Sequence, residues 1–413
     1  MKPILPLLLF LFWIPAAQAQ QPSALGVALD HAWKLHPQAA TLDAREAEAH
    51  AAKKMADALT PEPARLSVGN LNDRQGKNLG KQEYEVELAM PLWLPGQKNA
   101  HTVAATSRMG VAATLRVATQ LELAGEVRGA WWTLALARSV KALAERRLTT
   151  ARALDADSAK RFKVGELSRI DANLAQSERL AAEAELIETK AALLQAEQEL
   201  RLLTGRAPPI TLNEETAKES ACTHTHPHAH QDSESLVAHH PQLIAAAATA
   251  RSARARVKVA EETSRAAPEL ALRVVRERGN FAESYGNNIG LKLTFPFSSG
   301  AKVRNHTSSA QIEADQADAD LRRTETRVSL DIERARRKLE ATEQQWTTAN
   351  ERRVLLADNL RLTEKAFALG ETDLATLLRL RASAYDAESF YERQTIARAA
   401  AISRLNQSLG VLP

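Results

Sequence analysis

Arg161-Phe162-Lys163-Val164-Gly165-Glu166-Leu167-Ser168-Arg169-Ile170-Asp171 returns, loosely, as Lys365-Ala366-Phe367-Ala368-Leu369-Gly370-Glu371-Thr372-Asp373-Leu374. Three further echoes hold nearly the same offset. His36-Pro37 returns as His240-Pro241, Pro95-Gly96-Gln97-Lys98 as Ser299-Gly300-Ala301-Lys302, and Leu202-Leu203-Thr204-Gly205 as Gln407-Ser408-Leu409-Gly410. Matches at a near-constant spacing mark a duplication, which has to be recognised before a fold is assigned. The glycine-glutamate stretches read as turns, because helical sequence runs into and out of both. The first is preceded by a run from Gly96 with no proline, interrupted only by Gly110, Gly125 and Gly129. The second is preceded by a run from Gly300 with neither proline nor glycine through Ala368. Sixty-odd helical residues at roughly 1.5 Å each span about 100 Å. In the second run Val328, Ile332, Ala335, Leu339, Thr342, Trp346 and Ala349 step by four and three, the seam of a coiled coil. Each turn therefore joins a long helix to a shorter one that returns antiparallel, over about 97–204 and 300–409.

Working outward, the period changes from helical to two. Glu83-Tyr84-Glu85-Val86-Glu87-Leu88-Ala89-Met90 alternates acid and apolar residue, the signature of a strand with one greasy and one charged face. Arg65–Asn72 is its partner, across a loop from Asn72 to Asn78. In the second copy Leu270, Leu272 and Val274 alternate, although Val275 breaks the rhythm, and Ile289, Leu291, Leu293 and Phe295 alternate after a loop at Gly279-Asn280 to Gly286-Asn287. The hairpins are expected over about 65–93 and 268–297. A helix broken at His36-Pro37 precedes the first hairpin, and a helix from Pro241 to Arg265 precedes the second. The fold class is thus mainly α with a small β part: long antiparallel helical hairpins plus four strands.

Two features point these strands toward lipid. Aromatic residues are 4% of the chain, yet Tyr84, Trp93, Phe281, Tyr285, Phe295 and Phe297 sit in or beside the hairpins, as in the girdles of membrane barrels. The faces opposite the apolar ones carry Glu83, Glu85, Glu87, Arg273 and Lys292, which suits a polar lumen and not a protein core. Four strands cannot close a membrane barrel, and open edges are not tolerated in lipid, so the barrel has to be shared between chains. Two copies would give eight strands and three would give twelve; the residues do not choose.

Composition sets the remaining bounds. Residues 1–19 read as a signal peptide: Lys2, an apolar core from Ile4 to Ile14, and a small-x-small cleavage site at Ala17-Gln18-Ala19. No cysteine stands at the cleavage site, so no N-terminal lipid anchor is expected. Cys222 is the only cysteine, so no intramolecular disulfide can form. A formal charge of +4 with interleaved signs along helices describes solvated helix faces and not a nucleic-acid binder.

The signal peptide, the duplicated helix–strand–strand–helix–helix order and the two glycine turns together resemble the TolC-like outer membrane efflux family. Residues 20–209 would be the first repeat, 210–234 a linker, and 235–413 the second repeat. The resemblance implies a homotrimer in the outer membrane of a Gram-negative bacterium. A twelve-stranded barrel would carry Glu83, Glu85, Glu87, Arg273 and Lys292 in its lumen, and a helical barrel would cross the periplasm. The protein would be a passive exit duct, not an enzyme, joined by a periplasmic adaptor to an inner-membrane pump of the RND type. Val164, Gly165, Glu166 and Leu167, with Leu369, Gly370, Glu371, Thr372 and Asp373, would form the periplasmic tip that docks the adaptor. Some family members narrow the aperture with carboxylates after the second glycine. Here Asp373, Thr376 and Arg379 are the candidates, so a purely acidic constriction is not implied, and Arg379 is expected in an interhelical ion pair.

His224, His226, His228 and His230 alternate in the linker. Several imidazoles on one segment can hold a borderline cation such as Zn, Ni, Co or Cu; no other cofactor is expected. With the chain's length, this tract leans the substrate toward divalent heavy metals, as in the cobalt–zinc–cadmium branch, with drugs or other organic compounds as the alternative. A soluble periplasmic coiled-coil adaptor is the competing class; it would carry one helical hairpin interrupting one β domain. Trp131, Trp132 and Trp346 read as helix packing, and His31 and His36 as packing or capping.

Overall fold

The computed structural model describes residues 23–212, 215, 239–297 and 299–413. Seven helices and four strands follow in the order α1 (Ala24–Leu35), α2 (Pro37–Asp57), β1 (Arg65–Asn72), β2 (Gln82–Pro91), α3 (Gln97–Lys163), α4 (Arg169–Thr204), α5 (Pro241–Glu262), β3 (Glu269–Arg278), β4 (Gly286–Thr294), α6 (Gly300–Ala368) and α7 (Leu374–Ser408), counted among the described residues. The α3 helix contains 67 residues. The α6 helix contains 69 residues. At the rise of an α-helix each is about 100 Å long. The residues 1–19 read as a signal peptide lie outside the described residues.

Each long helix is flanked by two shorter ones, laid end to end. Along α3, Arg108 pairs with Glu48 at 2.6 Å and Arg116 with Glu46 at 2.9 Å, which places α2 beside its first third. Arg147 pairs with Glu178 at 2.9 Å and Arg179 with Asp155 at 2.7 Å, which places α4 beside its last third. Along α6, Arg254–Asp318 and Arg256–Glu313 locate α5, while Arg381–Glu364 and Arg398–Glu343 locate α7. The short helices meet at mid-height. A Cβ added to Gly410, just past α7, would lie 2.5 Å from Pro241 Cδ at the start of α5, and one at Gly205, just past α4, 2.5 Å from Leu35 Cδ1 at the end of α1. His36 and His240 both cap helices that begin with proline, the position where a missing N–H costs nothing.

The core sits at this waist. Trp131 is fully buried beside Leu25, Leu29, Leu123, Val127, Leu134 and Leu200, so α1, α3 and α4 share one apolar centre. The heptad seam of α6 is buried at Val328, Ile332, Ala335, Thr342 and Ala349, and its upper part packs on Leu405 and Leu409. The side faces of the long helices are otherwise paved with ion pairs, and surface pairs of this kind contribute little each.

The two hairpins merge into one antiparallel sheet in the order β1-β2-β3-β4, leaving β1 and β4 as its edges. The register fixes the faces. Leu88 opposes Leu66 and Leu272, which opposes Leu291; Val86 opposes Val68 and Val274, which opposes Ile289. These rows of aliphatic side chains are exposed, Ile289 and Leu291 at 77% each. Val275, which breaks the apolar alternation in sequence, stands on the opposite face against Glu85, and β4 begins at Gly286, inside the stretch assigned to the loop.

Candidate functional site

Three regions of the fold gather the candidate side chains: the distal tip, the polar face of the sheet, and the waist.

At the tip both long helices end in the same way. Gly165 and Gly370 adopt φ of 81° and 80° respectively. This is the left-handed region, which glycine enters without a Cβ penalty. The N–H of Glu166 donates to the Arg161 carbonyl at 2.9 Å and that of Gly165 to Phe162 at 3.0 Å; Glu371 donates to Ala366 at 2.9 Å and Gly370 to Phe367 at 3.1 Å. This doubled bond pattern is a Schellman motif, which satisfies the last orphan carbonyls of a helix. The return helices are capped in turn. Ser168 Oγ accepts from the Asp171 N–H at 3.1 Å, and Asp373 Oδ1 from the Thr376 N–H at 2.8 Å. Hydrogen bonding to Thr376, assisted by the nearby Arg379 charge, holds the Asp373 carboxyl below its ordinary value. Val164 and Leu369 project into solvent, and no atom outside the turn approaches either glycine Cβ position within 4 Å. The tips are therefore capped, hydrogen-bonded ends studded with exposed apolar side chains. Behind them Leu154 and Ala175 of the first hairpin pack on Leu374 and Leu377 of the second, and Arg161 lies over the Phe367 ring.

The ion pair expected for Arg379 is not formed among the described residues. Arg379 is exposed on α7, whereas Arg381 bonds Glu364 across the α6–α7 interface at 2.8 Å. Two positions along a helix rotate the side chain by about 200°, so only Arg381 faces the neighbour. Asp373 and Thr376, the other aperture candidates, are engaged with each other in the cap.

On the sheet, Glu83, Glu85 and Glu87 share a face with Arg273 and Lys292. Arg273 Nη2 donates to Glu83 at 3.2 Å and to Glu85 at 3.0 Å, and Lys292 lies 3.6 Å from Glu87. Gly69, Ala89, Ala271 and Gly290 stand on the same face. Small residues between the charges leave room for this side to curve inward.

The waist holds what the sequence did not reveal. Arg128 on α3 has a side chain only 5% exposed, and Glu215 facing it only 11%. The guanidinium donates from Nε at 3.2 Å and Nη2 at 2.9 Å to the two Glu215 oxygens, from Nη2 to the Val411 carbonyl at 3.0 Å, and from Nη1 to Gln407. Gln407 in turn donates to the Leu121 carbonyl at 2.6 Å. Partners so far apart in the chain leave no periodic signal. A second polar seam runs between the hairpins nearer the tip: Tyr385 donates to Glu185, which also bonds Arg147, and burial together with that carboxylate raises the tyrosine pKa.

His224, His226, His228 and His230 lie outside the described residues. Among the described residues no cluster of three or more His, Cys, Asp or Glu is arranged to hold a metal ion, and no helix is long and apolar enough to cross a membrane.

The sequence profile of the family described as "Outer membrane efflux protein" matches residues 233–411. No curated protein matches the chain. Among solved structures the fold is similar to CusC (15% identity, TM-score 0.76, covering 94% of this chain and 92% of that one). It is similar to the VceC outer membrane protein of Vibrio cholerae (17%, 0.74, 94% and 96%). It is also similar to the MtrE outer membrane channel of Neisseria gonorrhoeae (17%, 0.73, 94% and 89%). At these identities what is shared is the fold: long helical hairpins with a small antiparallel sheet.

Proposed function

We propose that this protein is the outer-membrane exit duct of a tripartite efflux system. It passes substrate delivered by an inner-membrane pump of the RND type through a periplasmic adaptor. The single observation that carries this reading is the sheet. It has an exposed aliphatic face, an ion-paired polar face, and two unpaired edge strands. It surmounts a helical body about 100 Å long. A lipid-facing sheet cannot keep open edges, so neighbouring copies must supply the missing pairs. Three copies give a twelve-stranded barrel with Glu83, Glu85, Glu87, Arg273 and Lys292 in the lumen, and α3–α4 and α6–α7 forming a tube across the periplasm. The match of residues 233–411 to the outer membrane efflux family supports the same reading. The paired tips, Val164 to Leu167 and Leu369 to Asp373, are the adaptor-docking surface. Two helical hairpins and one merged sheet weigh against the soluble adaptor, which would have one hairpin in one β domain.

The cargo we favour is a divalent heavy-metal cation, on the strength of the histidine tract at 224–230, which would act as a local metal buffer outside the duct. Growth of a deletion strain on graded Zn, Cd, Co, Ni, Cu and Ag, beside a dye and detergent panel, tests this. Sensitivity confined to divalent metals and restored by the intact gene is the expected result. Sensitivity to organic compounds alone would transfer the duct to drugs. Recovery of the protein as a monomer in the soluble periplasm would overturn the duct itself.

A further inference from the structure

The apolar face of the sheet ends abruptly toward the hairpin loops. Along it the rows run Met90–Leu270–Leu293, then Leu66–Leu88–Leu272–Leu291, then Val68–Val86–Val274–Ile289. The next row, in register across all four strands, is Asn70–Tyr84–Arg276–Asn287. Rows on one face are about 7 Å apart along the strand, so these three rows, with Phe295 continuing the alternation beyond β4, cover about 28 Å, and roughly 21 Å once strands tilt by about 40°. A membrane barrel presents an apolar band of about 25 Å. Arg276, which is exposed, therefore stands on the lipid side of the wall, at or within the hydrocarbon boundary.

No carboxylate compensates it. Arg276 and Arg278 make no ion pair among the described residues. Glu277 points to the other face and accepts from Asn288 Nδ2 at 2.8 Å; Asp73 is occupied by the N–H groups of Leu79 and Gly80, and Glu283 by that of Gly279. Instead both guanidiniums lie on one ring: Arg276 at 4.8 Å and Arg278 at 4.9 Å from the Tyr285 centroid. Tyr285 is fixed by its hydroxyl on Gln82 and by Tyr84 at 6.4 Å. Two cations held on one ring, at the membrane boundary and without an anion, fit a bidentate phosphate.

We infer that Tyr84, Arg276, Arg278 and Tyr285 form a belt that binds the phosphate groups of a phosphorylated glycolipid in the outer leaflet. The belt rests on the outer-membrane reading above, which places the hairpin loops at the outer surface. Three copies would ring the duct with it, and phosphate at this height would let the bilayer thin to the short apolar band.

The test uses the full-length protein purified in mild detergent, with native mass spectrometry against four probes: diphosphoryl lipid A, the same lipid with its phosphates removed, phosphatidylglycerol, and inorganic phosphate. Wild type should retain diphosphoryl lipid A. Arg276→Gln/Arg278→Gln should weaken it at least tenfold while the oligomer persists, and Arg276→Lys, which keeps charge but loses the fork, should weaken it less. The dephosphorylated lipid and inorganic phosphate should not compete. Binding by the double variant within twofold of wild type, equal retention of phosphatidylglycerol, or competition by inorganic phosphate would each overturn the belt. Density-gradient fractionation separates the two failures. Protein in the outer membrane without lipid selectivity refutes the belt alone, and protein in the soluble periplasm refutes the duct with it.

Discussion

Replacing Arg128 by methionine isolates the waist network from everything around it. The side chain is 5% exposed, its Glu215 partner 11%, and the two are joined by bonds of 3.2 and 2.9 Å. At an effective dielectric near 20, unit charges about 4 Å apart attract by about 4 kcal/mol. Desolvation offsets much of that while the pair is intact, but removing one partner strands the other charge, and such breaks cost about 3–5 kcal/mol. Methionine fills the volume of the arginine stem, so the loss reports charge and hydrogen bonds and not a cavity. Replacing both partners, Arg128→Met with Glu215→Leu, strands no charge and should cost only about 1–2 kcal/mol through the Val411 carbonyl and Gln407 left without their donor. The assay is a double-mutant cycle by guanidinium denaturation of the detergent-solubilised protein at fixed concentration, because oligomer stability depends on concentration. A single-mutant loss under about 1 kcal/mol, or a double-mutant loss equal to the sum of the singles, would refute the claim that Arg128 and Glu215 act as one coupled buried pair.

His240 is 3% exposed, and its Nδ1 accepts from the Gln242 N–H at 3.3 Å. Burial, aided by Arg327, lowers its pKa below 6.5. The unfolded chain therefore takes up a proton that the folded one refuses. Stability should hold above about pH 6.5 and fall as pH drops through it, and His240→Asn, which keeps a capping acceptor, should flatten a melting-temperature series from neutral to mildly acid pH. Gly370 sits at φ +80° with open space around it. Gly370→Val should thus cost about 1–2 kcal/mol locally. An intact oligomer that no longer supports export is the expected outcome, and unimpaired export would refute the tip as the docking surface. Arg273→Gln leaves Glu83 and Glu85 without their cation. The reversal potential of the reconstituted duct in a KCl gradient should shift toward cations, and no shift would place that face outside the lumen.

Much of the architecture was legible because it is written in periods. The α6 seam from Val328 to Ala349 and the alternation from Glu83 to Met90 each say which face is buried or wetted, and register then follows. What escaped is what has no period. Arg128, Glu215 and Gln407 come from three separate stretches, and only the folded waist brings them together. The expectation at Arg379 has the same origin. Composition near the turn suggested an arginine in an ion pair, but helical phase gives that role to Arg381. Val275 looked like a fault in a strand, yet it obeys the sheet, standing among the small residues of the inward-curving side.

The meeting of short helices at mid-height has a mechanical meaning. Where α7 ends against α5 at Gly410 and Pro241, the long α6 passes the joint unbroken, and α3 does the same beside the junction of Gly205 with Leu35. The wall of the proposed tube is laid like brickwork, each gap in one course backed by a continuous member in the next. Bending loads along the tube cross every joint through an intact helix, so the joints can be small and even slightly loose without cutting the wall. They are also the two points where the chain can leave the cylinder and re-enter it. An insertion there lengthens a loop without adding a residue to any course, leaving the reach of the tube, about 100 Å, set by α3 and α6 alone.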